Sequence, residues 1–388
     1  MLQYIIKRLL LLPLLLFIFS IIAFILIQAP PGDFMTSYIA ELAASGSSMD
    51  RAQIDALRAL YGLDQPLIVQ YFKWIGRLLS GDLGISLDWR NPAVRQLRTL
   101  SGWALGYVVA NQVAIVVVQN LLLRTGADNP TGYTNAFIFF MLPHGLLAMS
   151  IATTFLPEMA QAVNERRRDR MIDRTSLGIR LIALVTIPAG FGLFTLRHPL
   201  IGLLLQRGEY DAADAALAAR ALAGFALGLG AFSVYLFTLR AFYAHQDART
   251  PCIVNIVENG INIVIALILY QRYGVLGIAA SFAIAYVLSA LWALQILTYK
   301  VRDFPMRPVL AALARVVLAS VVMAEVVWFV VRAVGSNAGQ GALVRLVAGT
   351  IVGIVVYVGV LIALRAPELD ALLRRLRPTP SASTPPAH

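Results

Sequence analysis

Four polar residues lie at helical spacing inside an otherwise apolar run over residues 252–270. They are Asn255, Glu258, Asn259 and Asn262, called here the polar stripe. Side chains three and four residues apart share one face of a helix, so the stripe points in a single direction. A carboxyl group and three amides on one face could bind a cation or sugar hydroxyls, with Glu258 as a proton carrier. We expect the stripe to line a polar cavity, and the alternative left open is an internal ion pair between Glu258 and Arg220.

Polar residues also occupy two other apolar segments. In residues 102–122, Asn111 and Gln112 lie near the middle of the run. They predict either the lining of a cavity for a sugar headgroup or hydrogen bonds between helices. A later segment is interrupted by Pro143 and His144. A proline inside a helix removes a backbone hydrogen bond, so we expect a kink where His144 could donate to a freed carbonyl or to a ligand.

A short polar segment between two apolar runs carries Arg240, Asp247, Arg249 and Pro251. Asp247 could cap the helix that follows, with Pro251 near its first turn, where a missing N–H is harmless. The pattern favours a structural hinge over a ligand site, and a hinge is compatible with gating.

The sequence holds no pattern typical of catalysis or of a bound metal. The four histidines lie far apart, and the single cysteine, Cys252, allows neither an internal disulfide nor a cysteine-based metal site. No glycine-rich loop with a phosphate-binding lysine is present. We therefore expect no cofactor, no metal and no enzymatic activity, which leaves transport or binding.

Composition identifies the elements that must position these residues. Of the 388 residues, 59% are hydrophobic and only 14% are charged, and the mean hydropathy is +0.74. A soluble domain carries about 25% charged residues. The chain is therefore too apolar for a soluble domain, and its long apolar runs indicate segments that span a membrane. Lipid offers no partner for unpaired backbone groups, so these spans should be helices. We predict an all-α polytopic membrane protein with about nine transmembrane helices. The predicted spans are 9–28, 102–122, 134–156, 177–196, 216–238, 252–270, 275–297, 309–331 and 343–364.

Arginine and lysine residues predict the orientation of the spans. Fourteen basic residues lie in loops 157–176, 239–251 and 298–308 and after the last span, against six in the alternate loops. Loops rich in arginine and lysine stay in the cytoplasm, so the first set of loops should be cytoplasmic. The net charge of +11 is therefore explained by the orientation of the spans and does not indicate nucleic-acid binding. The flanks of span 9–28 predict the opposite orientation. Either the first helix inserts against its charges, or residues 67–79 re-enter the membrane, or two unrelated pieces are joined, and we favour the last explanation.

The start of the chain reads MLQYIIKRLLLLPLLL, followed by APPGD at 29–33 and YGLDQPLIVQYFKWIGRLLSGDLGISL at 61–87. This text resembles the N-terminus of dipeptide and oligopeptide ABC-transporter permeases of the DppB/OppB type. The resemblance implies that residues 1–87 form an anchor helix and an amphipathic loop. Permeases of this type also carry an E-A-A…G coupling motif, and the nearest sequence, PEMAQAVNERRRDR at 157–170, lacks both the Glu-Ala-Ala core and the glycine.

The rest of the chain carries different signatures. They are NPAVRQLRTLSGWALGYVVANQ at 91–112, YTNAFIFFMLPHGLLAMSIATTFLPEMA at 133–160, LLLQRGEYDAADA at 203–215 and RAFYAHQDARTPCIVNIVENGINIVIAL at 240–267. These segments resemble the C-terminal part of the MurJ (MviN) lipid II flippases, in the multidrug/oligosaccharidyl-lipid/polysaccharide exporter superfamily. The resemblance implies a flippase-like lobe over 88–300 and a two-helix groove for a lipid tail over 301–365. Composition predicts a basic, then disordered tail over 366–388, which is rich in proline and serine after Arg377.

The second resemblance also implies a function. A full family member has fourteen helices, and the first six form a lobe that faces this one. We expect a multi-pass protein of the bacterial plasma membrane that moves a lipid-linked peptidoglycan precursor, an undecaprenyl-diphosphate sugar, by alternating access. Its partners would be this substrate, membrane lipids and a second chain that supplies the missing lobe, with no nucleic acid. The alternatives are a peptide ABC-transporter permease subunit and a non-transporting membrane scaffold.

Overall fold

The computed structural model describes residues 17, 20–21, 65–79, 92–126, 128–206, 208 and 210–367. All regular structure in these ranges is helical, which confirms the all-α prediction. The chain divides into two compact units, residues 1–95 and 96–388. The predicted domain boundaries at 87, 300 and 365 stay predictions, and the predicted disorder of the C-terminal tail falls almost entirely outside the described residues.

The first unit contains helix α1, Leu67–Leu79. Tyr71 on this helix is buried, and its hydroxyl lies 2.7 Å from the Ser20 hydroxyl. The Phe17 ring meets the Tyr71 ring edge-on at 6.3 Å between centroids, while Leu67 and Phe72 are exposed. The helix is therefore two-faced, as its sequence indicates. Most of the predicted span 9–28 lies outside the described residues.

The second unit is a bundle of long helices. The first part of the bundle comprises α2 (Pro92–Thr125), α3 (Asn129–Pro143), a π-helical turn (His144–Ala148), α4 (Met149–Asn164) and α5 (Arg168–Leu204). The second part comprises α6 (Ala212–Ala226), α7 (Leu229–Ala244), α8 (Arg249–Lys300), α9 (Met306–Ala333) and α10 (Gly339–Ala363). The centre of the bundle is α5, which packs against α4, α6, α7, α9 and α10. Small buried residues such as Gly178 and Ala183 allow neighbours to approach α5 closely.

The predicted spans from residue 102 onward fall within these helices, with two differences in their breaks. The predicted span 216–238 is bent by 50° between α6 and α7. Spans 252–270 and 275–297 both lie in α8, which reverses at Gly274, where φ is +54°. A positive φ is readily adopted only by glycine, so this residue fixes the place of the reversal. By length and composition, six helices among the described residues could cross a membrane, or seven if α6 and α7 form one span; this count takes both halves of α8 as one helix.

The π-helical turn confirms the expected irregularity at Pro143. Proline has no N–H to donate to the carbonyl four residues earlier, and α3 ends there. The chain continues for five residues as a π-helix before α4 begins. Such single turns are rare in proteins and rotate the side chains that follow them relative to a regular helix.

A proline in α5 also explains how α10 is attached. Pro188 cannot donate to the carbonyl of Leu184, and the hydroxyl of Tyr357 on α10 donates to that carbonyl at 2.6 Å. We expect Tyr357→Phe to lower the free energy of unfolding by about 1 kcal/mol, because a carbonyl in an apolar interior loses its donor. Thermal unfolding in detergent measures this, with Tyr299→Phe, whose side chain is 90% exposed, as the matched control. Equal melting temperatures for the two variants would contradict the assignment.

Candidate functional site

The polar stripe faces the interior of the bundle. Asn255 is fully buried, Glu258 is 1% exposed, and Asn259 and Asn262 are 7% and 6% exposed. The helix positions on the other side, such as Ile256 and Ile268, are exposed. The inward direction of the stripe therefore agrees with the 3.6-residue period. The stripe is packed between helices, however, and does not lie on the wall of an open cavity.

Helix α2 covers one end of the stripe. The Asn111 side-chain amide donates to Asn255 Oδ1 at 3.0 Å and to the backbone carbonyl of Tyr107 at 2.8 Å. Of the two readings given for Asn111, the hydrogen bond between helices is the one formed. Gln112 is exposed on the opposite side of α2, among Val108 and Val116, and does not join the stripe.

Glu258 lies at the centre of the stripe without a counter-ion. No ion pair joins Glu258 to Arg220 in the described residues, and its Oε2 atom has no hydrogen-bond partner there. Arg220, on α6, is exposed and lines a groove with Thr125 and Tyr273. Tyr273 lies about four helical turns from Glu258 along α8, so Arg220 is far from the carboxyl group. The internal ion pair proposed from the sequence is therefore not formed. A buried carboxyl group without a partner is costly and is an unusual feature of a membrane helix.

The two halves of α8 share a hydrogen bond at the far end of the stripe. The Ser281 hydroxyl lies 2.8 Å from Asn262 Oδ1, and both side chains are buried. The Asn259 amide donates to the carbonyl of Asn255 at 2.9 Å, within its own helix. Sequence reasoning missed Ser281. No pattern in the sequence points to it, because its contact with Asn262 depends on the reversal at Gly274.

Other buried polar groups lie near the stripe. The Tyr235 hydroxyl, the Ser289 hydroxyl and the Asn255 side-chain nitrogen have no hydrogen-bond partner within the described residues. The rings of Tyr235 and Tyr286 are 5.2 Å apart, so α7 and the second half of α8 meet here. The interior therefore contains polar groups whose hydrogen bonds are only partly satisfied, and such groups are poised to change partners.

His144 is placed away from the stripe. Its Nδ1 atom lies 2.9 Å from the Ser233 hydroxyl on α7, and its ring packs against Phe232 at 4.8 Å. The side chain is 5% exposed. Pro143 and His144 thus form a buried joint between α3 and α7, and Ser233 is a partner that the sequence did not indicate.

The segment before α8 has the predicted form of a hinge with a cap. The backbone N–H of Thr250 donates to Asp247 Oδ1 at 3.0 Å, and the Thr250 hydroxyl donates to Oδ2 at 2.7 Å. Lys300 Nζ, at the other end of α8, donates to Asp247 Oδ2 at 2.6 Å and to Thr250 Oγ1 at 2.5 Å. This group, called here the α8 clasp, closes the open end of the helical hairpin. Pro251 is buried in the first turn of α8.

The α8 clasp predicts a dependence of stability on pH. Partial burial raises the pKa of Asp247, but hydrogen bonds from Lys300 and Thr250 outweigh it and hold the pKa below its ordinary value. A lowered folded-state pKa stabilises the protein above the unfolded-state pKa, and the contribution is lost as pH falls through the folded value. We expect Asp247→Asn to cost about 1 kcal/mol at pH 7 and progressively less towards pH 3. Thermal unfolding against pH measures this, and a difference that does not change with pH would contradict it.

The two arginines of the predicted hinge contact neighbouring helices. A guanidinium nitrogen of Arg240 lies 2.9 Å from the Met149 sulfur at the start of α4. Arg249 lies over the ring of Trp103 on α2, with 5.7 Å from Cζ to the ring centroid. The segment therefore links α2, α4 and α8, which is what a hinge requires. A gating role for these residues stays a prediction.

The described residues hold no group of three or more histidine, cysteine, aspartate or glutamate side chains that could bind a metal ion. What the site offers is one carboxyl group, several amides and several hydroxyls inside a membrane bundle. Such a set can exchange hydrogen bonds and hold a cation or polyhydroxylated ligand, and it lacks a nucleophile paired with a base.

Comparison with known proteins identifies the family. The family model of the lipid II flippase MurJ matches residues 67–349. The chain belongs to this family. A second model, the N-terminal part of a binding-protein-dependent transport system membrane component, matches residues 1–88. Both resemblances read from the sequence are therefore confirmed, and the two matches overlap over residues 67–88. As a family member, the chain is a multi-pass protein of the bacterial plasma membrane.

Relatives and solved structures agree with the family. The chain is 25% identical over 315 residues to a probable lipid II flippase MurJ of Rhizobium meliloti (strain 1021), which covers 78% of the chain and 58% of the relative. It is 30% identical over 195 residues to a probable lipid II flippase MurJ of Vibrio cholerae, over 50% of the chain and 37% of the relative. A solved lipid II flippase MurJ in an inward closed conformation aligns with a TM-score of 0.57 at 21% identity, over 80% of this chain and 60% of that one. This likeness shows the fold, and the chain covers between 37% and 60% of the length of these three proteins.

Proposed function

We propose that this chain takes part in moving a lipid-linked peptidoglycan precursor across the plasma membrane, as one lobe of a flippase. The family match over residues 67–349 supports the substrate class, since the matched relatives are named for lipid II. The absence of enzymatic activity belongs to the same proposal, because translocation requires binding and movement and no bond is broken.

The observation that carries the mechanism is the hydrogen bond between Asn111 and Asn255. Helix α2 is the most weakly packed of the bundle helices next to the stripe, with Leu105, Val109 and Val113 exposed on its outer side. Interhelical hydrogen bonds in membranes contribute about 0.6 kcal/mol on average, so this contact can open at modest cost. We infer that α2 covers the stripe in this state and uncovers it in another.

Uncovering the stripe would make a binding surface. Withdrawal of α2 would expose Asn255, Glu258 and their two neighbouring amides to a sugar headgroup, with Asn111 on the moving wall. Gln112, exposed on another side of α2, would take part only if α2 also turned about its axis. His144, at the joint between α3 and α7, would bind only if that joint also opened. Closure of two lobes around such a surface is the general scheme of alternating access.

A second lobe is part of the proposal. Alternating access needs two bodies that rock about a common site, and the described residues supply one flippase-like bundle. We propose that the facing lobe comes from a second chain or from a second copy of this one. The exposed apolar side of α2 is the surface that such a lobe would cover.

Crosslinking across the stripe tests the gate. In a Cys252→Ala background, with the facing lobe supplied by the N-terminal half of a complete relative, Asn111→Cys and Asn255→Cys would be bridged by a short thiol reagent. Movement of a fluorescent lipid-linked sugar in proteoliposomes should then stop. Cleaving the bridge should restore it. The matched control bridges Glu158→Cys on α4 with Arg174→Cys on α5, whose native side chains are 3.2 Å apart. This bridge does not involve α2 and should leave transport unchanged. Equal transport with and without the first bridge would overturn the gate.

Reconstitution tests the second lobe. The chain alone, and the chain co-expressed with the N-terminal half of a complete relative, would each be asked to rescue a strain depleted of its flippase. Rescue only by the pair supports the proposal. Full rescue by a monomeric chain would overturn the need for a second lobe, and failure of both would overturn the flippase assignment.

A peptide-permease subunit is the second candidate, favoured by the match of residues 1–88. A permease needs an ATPase docked on a cytoplasmic coupling helix, and the sequence lacks the E-A-A…G motif. Co-purification with an ATPase from a native membrane would support this candidate, and its absence under conditions that retain a known permease complex would remove it.

A further inference from the structure

A groove of about 950 Å³ lies at one end of α5, α9 and α10, away from the polar stripe. Its walls combine aromatic side chains, among them Phe194 and Trp328, with three guanidinium groups. These belong to Arg197, Arg332 and Arg345. We call it the arginine groove. Its size is within the range of sites that hold small-molecule ligands.

The three arginines lack carboxylate partners in the part of the chain that the structure describes. Arg332 lies 3.7 Å from the centroid of the Trp328 ring, and Arg197 lies 4.8 Å from that of Phe194. Arg345 donates to the carbonyl of Val334 and to the Asn337 side chain. These contacts orient the guanidinium groups and leave their charge uncompensated. Glu325 is the one acidic residue on the described lining, so the groove carries an excess of positive charge.

The backbone around the groove is built to hold this arrangement. A Cβ atom on residue 202 would lie 2.0 Å from the carbonyl oxygen of Asn337, so Gly202 allows the loop between α9 and α10 to rest against α5. That contact places Asn337 beside Arg345. The position of Arg345 thus follows from close packing of this loop against α5.

The groove lies at the level of lipid headgroups. Arg332 is in the last turn of α9, and Arg345 is in the second turn of α10. Trp328, one turn deeper, is 43% exposed, and tryptophan prefers the boundary between hydrocarbon and headgroups. The aromatic wall continues towards the bilayer centre. With the arginine-rich loops 157–176, 239–251 and 298–308 in the cytoplasm, this end faces the outer leaflet.

We propose that the arginine groove binds one acidic phospholipid of the outer leaflet, with its phosphate among the three guanidinium groups and an acyl chain along the aromatic wall. Arginine recognises phosphate oxygens through paired, charge-assisted hydrogen bonds, and the apolar wall suits hydrocarbon. A lipid with net negative charge matches the excess positive charge, whereas a zwitterionic lipid brings its own cation into the groove. The proposal does not depend on transport, because it concerns the purified chain alone.

Lipid retention measured by native mass spectrometry tests the site. The delipidated full chain would be titrated with phosphatidylglycerol, with phosphatidylcholine, and with inorganic phosphate as a competitor. We expect one phosphatidylglycerol to bind about tenfold more tightly than phosphatidylcholine, and millimolar phosphate not to displace it. Equal affinity for both lipids would overturn the proposal, and displacement by phosphate would show an anion site that does not require a lipid.

Variants separate the groove from the general charge of the surface. Arg332→Gln and Arg197→Gln should each weaken phosphatidylglycerol binding by about tenfold, since each removes a charged donor. Arg272→Gln is the matched control, because Arg272 is exposed at the same predicted face and outside the groove. Thermal unfolding verifies that each variant is folded. Equal loss in the control and groove variants would assign binding to surface charge and overturn the proposal.

Discussion

Phe225→Ala is expected to lower the free energy of unfolding by about 3 kcal/mol, the low end of the range for a buried phenylalanine. The Phe225 ring is fully buried and lies 4.8 Å from the Tyr133 ring, 5.5 Å from Phe140 and 5.3 Å from Phe282. Lipid tails are as apolar as a protein interior, so the loss comes from packing around the cavity and from aromatic pairing.

The effect should be specific to this position. Phe225 joins α6 to α3 and to the second half of α8, so its removal separates three helices at one point. Phe329→Ala is the matched control, since that ring is 65% exposed and should change stability by less than about 0.5 kcal/mol. Thermal or denaturant unfolding in one detergent compares the two. A loss below 1 kcal/mol at Phe225 would mean that the aromatic cluster does not hold the helices together.

The aromatic cluster also shows where sequence reasoning ends. Apolar runs locate the helices, but every residue of such a run is apolar, so the pattern does not tell which side meets which neighbour. Phe140, Phe225 and Phe282 come from helices far apart in the chain, and their contact depends on tertiary packing alone. The bend between α6 and α7 was missed for the same reason, because residues 216–238 are apolar apart from Arg220, Ser233 and Thr238.

Polar residues in an apolar run carry more information. The inward direction of Asn255 and Glu258 follows from helical spacing, because a membrane leaves no favourable outward environment for them. Whether the stripe meets water or a neighbouring helix does not follow from spacing. The stripe meets neighbouring helices because Asn111 and Ser281 form hydrogen bonds with it. Each of these residues lies on a separate helical segment, so its contact depends on tertiary packing. The same limit explains why spacing left the pairing of Glu258 with Arg220 open as an alternative, which the structure does not form.

Local motifs were the most predictable part of the structure. The cap formed by Asp247 and the break at Pro143 depend on a few neighbouring residues, so the sequence contains all the required information. The contact of Asp247 with Lys300 lies beyond that range. It requires the reversal at Gly274. The chain contains many glycines, and the residues next to Gly274 do not distinguish it from the others.

Glu258→Gln is expected to reduce transport by at least about tenfold, the effect of removing one essential interaction worth 1.4 kcal/mol, while leaving the fold intact. This expectation rests on the proposed function. Glutamine keeps the size and hydrogen-bonding capacity of the side chain but cannot gain or lose a charge. Because the Glu258 carboxyl group has no partner on Oε2, the amide should not lower the melting temperature.

The pair of readouts separates a functional role from a structural one. A structural polar group would lose stability and transport together, whereas a group that binds a cation or a headgroup during the cycle would lose transport alone. Glu165→Gln, exposed at the end of α4 and outside the stripe and the arginine groove, is the matched control and should leave transport unchanged. Full transport by Glu258→Gln in the reconstituted pair would remove the carboxyl group from the mechanism. The amides of the stripe would then be sufficient, and their role would be to hold a neutral, hydrogen-bonding ligand.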